Sequence, residues 1–224
     1  MLQKRTSRIA LFAAMLFTAG LLPAQELVFH EPFEDADTET FEVWGTAFPF
    51  NRVEVFEGAL ELEGSNGFEA FGVYFSPEFD LADGPLTIEV EMERNSEVPG
   101  SEINLWFVNQ YLVAGDPWME GDFVRTGLFS TRDEVPNALL VQETSPDQRG
   151  AGNQLAIVEN AFEMGVPLTL EFRLTADSFA VSIDGTELAQ GAHSLPETTG
   201  YLFIHDWNSI DVIDFIYDVK IYQE

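Results

Sequence analysis

The chain of 224 residues contains no cysteine, only 10 Lys and Arg against 39 Asp and Glu, and only three histidines. Each shortage excludes a class of function. Without Cys there is no disulfide framework and no thiolate metal site. Ten basic residues against 39 acidic ones argue against nucleic acid, whose backbone is bound by clustered Lys and Arg. His30, His193 and His205 show no paired spacing, which argues against zinc. There is no Gly-x-Ser-x-Gly elbow, so a Ser-His-Asp hydrolase is not supported. No Asp-x-Asp-x-Asp-Gly loop of the EF-hand type occurs. Amphipathic helices are missing as well; Ala161-Phe162-Glu163-Met164, ended by Gly165, could make one short turn. What is present is apolar: 46% of residues are hydrophobic and 20 are Phe, enough for a core and too much for a disordered chain.

Lys4, Arg5 and Arg8 precede an apolar run from Ile9 to Leu22, and Pro23-Ala24 supplies a small residue before Gln25-Glu26. This is the layout of a secretory signal peptide over residues 1–24. The run is short of the roughly 20 residues that span a bilayer, so cleavage is expected over a retained anchor. A secreted or periplasmic location follows, with no membrane span after cleavage. Removing the segment takes three of the ten basic residues and none of the 39 acidic ones, so the formal charge deepens from -29 to -32. The carboxylates are spread along the chain, which suits a solvated acidic surface better than a dedicated cation site.

From residue 27 onward the dominant period is two. Leu86–Glu93, Leu168–Leu174 and Phe179–Ile183 alternate apolar and polar residues, as do Arg52–Phe56 and Ala59–Glu63. That pattern puts one face of an antiparallel sheet on a core and the other in water. Phe71–Phe75, Leu105–Val108, Leu139–Val141 and Tyr201–Ile204 read as more buried strands. Asn66-Gly67, Asp83-Gly84 and Asp184-Gly185 are turn signals, the last joining Phe179–Ile183 to Glu187-Leu188 as a hairpin. About a dozen strands are expected. The stretches Gln110–Gly121 and Glu143–Asn153 read as long loops of one sandwich domain over residues 25–224. The fold class is therefore all-β, an antiparallel β-sandwich (jelly roll) of two curved sheets.

The strand order resembles the concanavalin A-like lectin/glucanase superfamily, which includes laminin G-like domains and family 16 glycoside hydrolases. Three stretches carry the resemblance. Val28–Asp35 with Phe41, Trp44 and Val53–Leu62 is similar to the family opening that leads to a Gly-x-Leu-x-Leu strand. Phe75–Leu81 running into Leu86–Arg94 resembles the strand pair that precedes an inner strand, here Glu102–Val108. Leu168–Leu174, Phe179–Gly185, Gly200–Ile204 and Phe215–Tyr222 resemble the closing hairpin and final strand. The resemblance implies a jelly roll and a carbohydrate partner. It also implies a structural Ca²⁺ held by positions matching Pro32, Gly58 and Asp218, a mix of backbone and carboxylate oxygen that suits a hard cation.

Family 16 hydrolases carry a Glu-x-Asp-x-Glu strand, and Glu89-Val90-Glu91-Met92-Glu93 has the spacing for paired-carboxylate catalysis. The central residue is Glu, however, and the triplet precedes Trp106 where the family's strand follows the Trp-bearing one. The simpler reading is the wet face of a surface strand. No catalytic residue is assigned. Sugar rings pack an apolar face on aromatic rings and need polar groups for their hydroxyl rim. Trp118 beside Asp116 and Glu120, and Trp207 within His205-Asp206-Trp207-Asn208, suit that role. Trp106, with Asn104, Asn109 and Tyr111, is a candidate for lining the concave sheet, although core packing is the commoner fate of a sandwich Trp. The expected binding residues are thus Trp106, Tyr111, Trp118, His205, Asp206, Trp207 and Asn208. The expected function is a non-catalytic, lectin-like carbohydrate-binding domain whose glycan is more readily neutral than acidic, since like charges repel. Two alternatives stay open: a family 16 type glycoside hydrolase, or an adhesion domain that binds protein.

Overall fold

A computed structural model describes residues 25–34, 40–45, 52–64, 69–111, 121–144, 152–208 and 212–224. These contain fifteen strands: β1 (Glu26–Glu31), β2 (Phe41–Trp44), β3 (Arg52–Phe56), β4 (Ala59–Glu63), β5 (Glu69–Asp80), β6 (Leu86–Glu93), β7 (Glu102–Val108), β8 (Phe123–Arg132), β9 (Val135–Thr144), β10 (Asn153–Val158), β11 (Leu168–Leu174), β12 (Ser178–Ile183), β13 (Thr186–Ala192), β14 (Thr199–Asn208) and β15 (Ile213–Gln223). The first sheet has the order β13-β12-β11-β6-β15-β4-β3, with β1 also paired to β15. The second has the order β10-β9-β8-β7-β14-β5-β2. All pairings are antiparallel, and the two sheets stack as a β-sandwich jelly roll, as the alternation predicts. The expected turn at Ala161–Met164 stays irregular before Gly165, whose φ is 68°.

Alternation builds the first sheet. In β6, Leu86, Ile88, Val90 and Met92 enter the core, with Leu168, Leu170, Phe172 and Leu174 beside them from β11. Facing them are Phe71, Val73 and Phe75 of β5, Ile103, Leu105 and Phe107 of β7, and Leu202 and Ile204 of β14. Each such side chain contributes about 1.5–3 kcal/mol on full burial. The β12–β13 turn sits at Asp184-Gly185, where φ is 50° and 73°; both central residues are left-handed, which is the geometry an Asp-Gly pair favours.

One charged cluster crosses the interior. The Arg94 guanidinium, after β6, donates to the Asp214 carboxylate of β15, and both side chains are fully buried. The Asn95 amide donates to the same carboxylate at 2.6 Å. Burial lowers the Arg94 pKa to about 10, opposed by the charges of Asp206 and Glu102. Arg94 therefore stays charged at neutral pH, and removing either partner would strand a charge in the core, at a cost of about 3–5 kcal/mol.

Residues 1–24, and with them the expected signal peptide, lie outside the described residues. Among the described residues, no helix is long and apolar enough to cross a membrane.

Candidate functional site

The second sheet is unusual in being buried on both faces. Every residue of β7 is buried, as are the first eight of β8. On β7, Ile103, Leu105 and Phe107 belong to the inter-sheet core, so Glu102, Asn104 and Trp106 project from the opposite, outer face. The ladders align that face into three rows. The first runs Trp207–Glu102–Phe129–Ala138 across β14, β7, β8 and β9. The second runs Trp44–Gly72–His205–Asn104–Gly127–Leu140. The third runs Glu42–Tyr74–Phe203–Trp106–Arg125–Gln142.

Glycine shapes the second row. Gly72 carries no side chain between β2 and β14, and the Trp44 ring stands 6.1 Å from the His205 ring across it. A Cβ at Gly72 would come within 2.0 Å of the Ile204 carbonyl oxygen, so this close approach needs glycine. Trp106 approaches His205 from the third row at 5.4 Å, and Phe203 at 5.8 Å. The imidazole thus lies in an aromatic bed. Burial pushes its pKa down to about 4; the Glu102 charge opposes this and the Arg125 charge adds to it. His205 is neutral at pH 7, and its Nδ1 faces the Asn104 Nδ2 at 3.3 Å.

Glu102 and Arg125 form a buried ion pair. Arg125 donates from Nη1 to Glu102 Oε1 at 3.1 Å, and from Nε and Nη2 to Gln142 Oε1 at 3.1 and 2.6 Å. Its guanidinium lies 4.9 Å from the Trp106 ring centroid and 5.8 Å from that of Phe129. Burial lowers the Arg125 pKa, and the neighbouring Glu102 counteracts it. At the other end of the face Tyr111 and Tyr201 pack at 5.1 Å, half-exposed. Tyr201 donates to Glu78 at 3.1 Å. Burial first and Glu42 second raise the Tyr111 pKa to about 12.

The expected binding residues divide. Trp207 is 39% exposed on the outer face, and Tyr111 stands at its rim. His205 is on the face at 5% exposure. Two expectations are corrected. Trp106 is 1% exposed, so its ring forms the bed of the face and offers no open surface to a sugar. Asp206 is fully buried, because β14 continues through it to Asn208 and alternation turns it inward toward Arg94. Trp118 and the side chain of Asn208 lie outside the described residues. Asn109 is spent on closing the β7–β8 connection, where its Oδ1 accepts from the Asp122 amide at 2.9 Å.

Glu89, Glu91 and Glu93 lie on the outer side of the first sheet, between core residues Ile88, Val90 and Met92, as the simpler reading expected. The sequence reading missed Glu102 as a groove residue, together with Arg125 and Gln142. The signal was there: Glu102 and Asn104 are polar at alternate positions of an otherwise apolar run. Glu102-Ile103-Asn104-Leu105-Trp106 also occupies the spacing of the resembled Glu-x-Asp-x-Glu strand, with an amide and an indole in its second and third polar places.

No family model matches the chain, and no curated protein matches its sequence. Solved structures do. A β-glucanase from Bacillus licheniformis is 17% identical, with a TM-score of 0.62 over 88% of this chain and 97% of that one. The carbohydrate recognition domain of Emp46p, in its metal-free form, is 15% identical, with a TM-score of 0.65 over 85% of this chain and 93% of that one. An endo-β-1,3-glucanase from Pyrococcus furiosus is 12% identical, with a TM-score of 0.65 over 89% and 94%. The chain shares the jelly-roll fold of these structures. Neighbours of this fold include both carbohydrate-recognition domains and enzymes that act on glucans.

The Emp46p domain also has a potassium-bound structure, so a domain of this fold can hold a cation. In this chain β1 and β4 lie end to end along β15, which brings Pro32, Gly58 and Asp218 to the gap between them. The donors there do not fit Ca²⁺ as they stand. Asp218 Oδ1 is 2.9 Å from His30 Nε2, and its Oδ2 accepts from the Lys220 ammonium. A divalent ion would have to displace a cation already bound to its only carboxylate. Among the described residues no three acidic or histidine side chains gather to hold a metal.

Proposed function

We propose that the chain is a non-catalytic carbohydrate-binding domain whose ligand lies at the exposed rim of the outer face of the second sheet. The observation that carries this reading is the isolation of Glu102. Glycoside hydrolysis by the usual route needs two carboxyl groups about 5–9.5 Å apart. Glu102 is bonded to Arg125, and the other carboxylates on the described strands of this face, Glu42, Glu78 and Asp80, are removed by two or three strands and by two to four rows. Strand and residue spacings put that separation at about 20 Å or more along the sheet. The aromatic equipment remains: Trp207 is exposed, and Trp44, Tyr111 and Tyr201 are partly so. The ligand is read as a neutral glycan. Arg125, the buried cation of the face, is already paired with Glu102, and Glu42 and Glu78 at the rim repel anionic sugars.

Titration with a panel of β-glucans, mucin O-glycans and uronic-acid polymers, followed by tryptophan fluorescence and by reducing-sugar release, tests this. Binding of a neutral glycan without release is expected, and Trp207→Ala should weaken it about tenfold with an unchanged melting temperature. Release of sugar that is lost in Glu102→Gln would establish a hydrolase instead, and binding to no glycan would favour a protein partner. Residues 1–24 are read as an export signal; a secreted chain beginning at Gln25 is the expected product on N-terminal sequencing.

A further inference from the structure

The outer face of the first sheet holds a cleft that the rim site does not use. In β11 and β12, Phe172, Leu174, Phe179 and Val181 belong to the core, so Arg173, Thr175, Ser178 and Ala180 project outward. The ladders set Arg173, Ala180 and Gln190 side by side across β11, β12 and β13. A single methyl group thus lies between two long polar side chains. A cavity of about 420 Å³ opens there, with Thr175 and Ser178 lining it from the next row. Small-molecule sites start at about 300 Å³. We propose that this cleft is a second carbohydrate site, which holds one neutral sugar ring on the sheet opposite Trp207. It takes its ligand class from the glycan-binding reading and shares none of the rim residues.

The polar groups left open in the cleft suit hydroxyls. Arg173 donates from Nε and Nη2 to the Glu224 carboxylate at 3.0 to 3.3 Å, which fixes the guanidinium and leaves Nη1 out of the pair. Thr175 Oγ1 accepts from the amides of Asp177 and Ser178, which fills its two lone pairs. Ser178 Oγ, 2.6 Å from Thr175 Oγ1, therefore keeps its own proton for a ligand. Gln190 is exposed, and its carboxamide both donates and accepts. The Ala180 methyl supplies an apolar floor for the C–H face of a sugar ring. An anion is served poorly. Arg173 is the cation of the cleft and is already paired with Glu224, while Glu171 and Glu187 flank Ser182 in the row beyond.

Amide NMR of the nitrogen-labelled chain, titrated separately with glucose, galactose, N-acetylglucosamine and glucuronate, tests this. The backbone amides of Ser178 and Ala180 and the side-chain amide of Gln190 should shift saturably with at least one of the neutral sugars. Ala180→Ile fills the cleft with a branched side chain that suits a strand, so it should abolish these shifts without lowering the melting temperature. Absence of shifts with all three neutral sugars overturns the inference, as do shifts that survive Ala180→Ile. Shifts with glucuronate alone would make the cleft an anion site and overturn it too. Should Ala180→Ile fail to fold, Gln190→Ala on the edge strand supplies the reading: weaker saturation is expected, and unchanged saturation overturns the inference. The Trp207 indole N–H reports the rim in the same spectra. A still indole beside moving β12 amides counts against the rim site alone, and the reverse counts against the cleft alone.

Discussion

Burial strips the His205 imidazole of water, and the consequence appears in acid. The folded chain takes up this proton only near pH 4, whereas the unfolded chain takes it up near 6.5. Between those values the unfolded state binds more protons, so the stability present above pH 6.5 is lost progressively down to about pH 4 and changes no further below it. The loss attributable to this one ring is roughly 3 kcal/mol. Urea unfolding of the native chain and of His205→Phe across that range checks it: the variant should lack this part of the slope. Arg125 and Glu102 make the opposite case. Both are buried, and Arg125 is held there by Glu102 at 3.1 Å and by two hydrogen bonds to Gln142. Arg125→Met alone should therefore cost several kcal/mol, far more than loss of any exposed ion pair such as Arg52–Glu54.

At the scale of the strand, alternation decides which side chains act together. β6 puts Glu89, Glu91 and Glu93 on the outer side of the first sheet, with Glu89 directly opposite Glu171 of β11. Changing the three to Gln should leave glycan binding intact and change stability by no more than a few tenths of a kcal/mol, since relief of the Glu89–Glu171 repulsion is offset by loss of the Lys220 partner 3.9 Å from Glu89. Denaturant midpoints and the same fluorescence titration would show both. Strands of this kind were legible in the sequence because one side is wet. β14 was harder. Its buried half, Tyr201–Ile204, stood out, while His205–Asn208 looked like a polar turn at a strand end. In the structure the ladder with β7 continues to Trp207, which sends His205 and Trp207 to one face and Asp206 to the other. Glu102 and Asn104 were hidden for a related reason: a strand covered on both faces loses the contrast that makes period two visible. Cross-strand register was not legible at all. Nothing local in Trp44, Gly72 or His205 announces that an indole reaches an imidazole over a glycine two strands away.

For the whole molecule, charge and metal can be tested in one set of melts. The formal charge of -29 repels itself, so raising salt from about 0.01 to about 0.15 M, which shortens the Debye length from about 30 to about 8 Å, should raise the melting temperature. Excess chelator should leave it unchanged, because the Lys220 ammonium already serves Asp218. A chelator-induced fall would show that a divalent ion displaces Lys220 and would restore Ca²⁺ to the gap beside β15. The pairing of β1 with β15 matters here too: it ties residues 26–31 to residues 219–223, so these two strands should melt together.

The covering of the second sheet on both faces also sets the order in which its parts open. The amides of β7 and β14 are paired on both edges and lie under side chains above and below. They should exchange with deuterium last, at the rate of global unfolding, while the edge strands β10 and β13, with largely open burial, exchange by local fraying. The proposed recognition surface would then rest on the slowest-opening part of the protein. A bound sugar could slow exchange at the rim near Tyr111 and would add no protection to β7 or β14 beyond its effect on global unfolding.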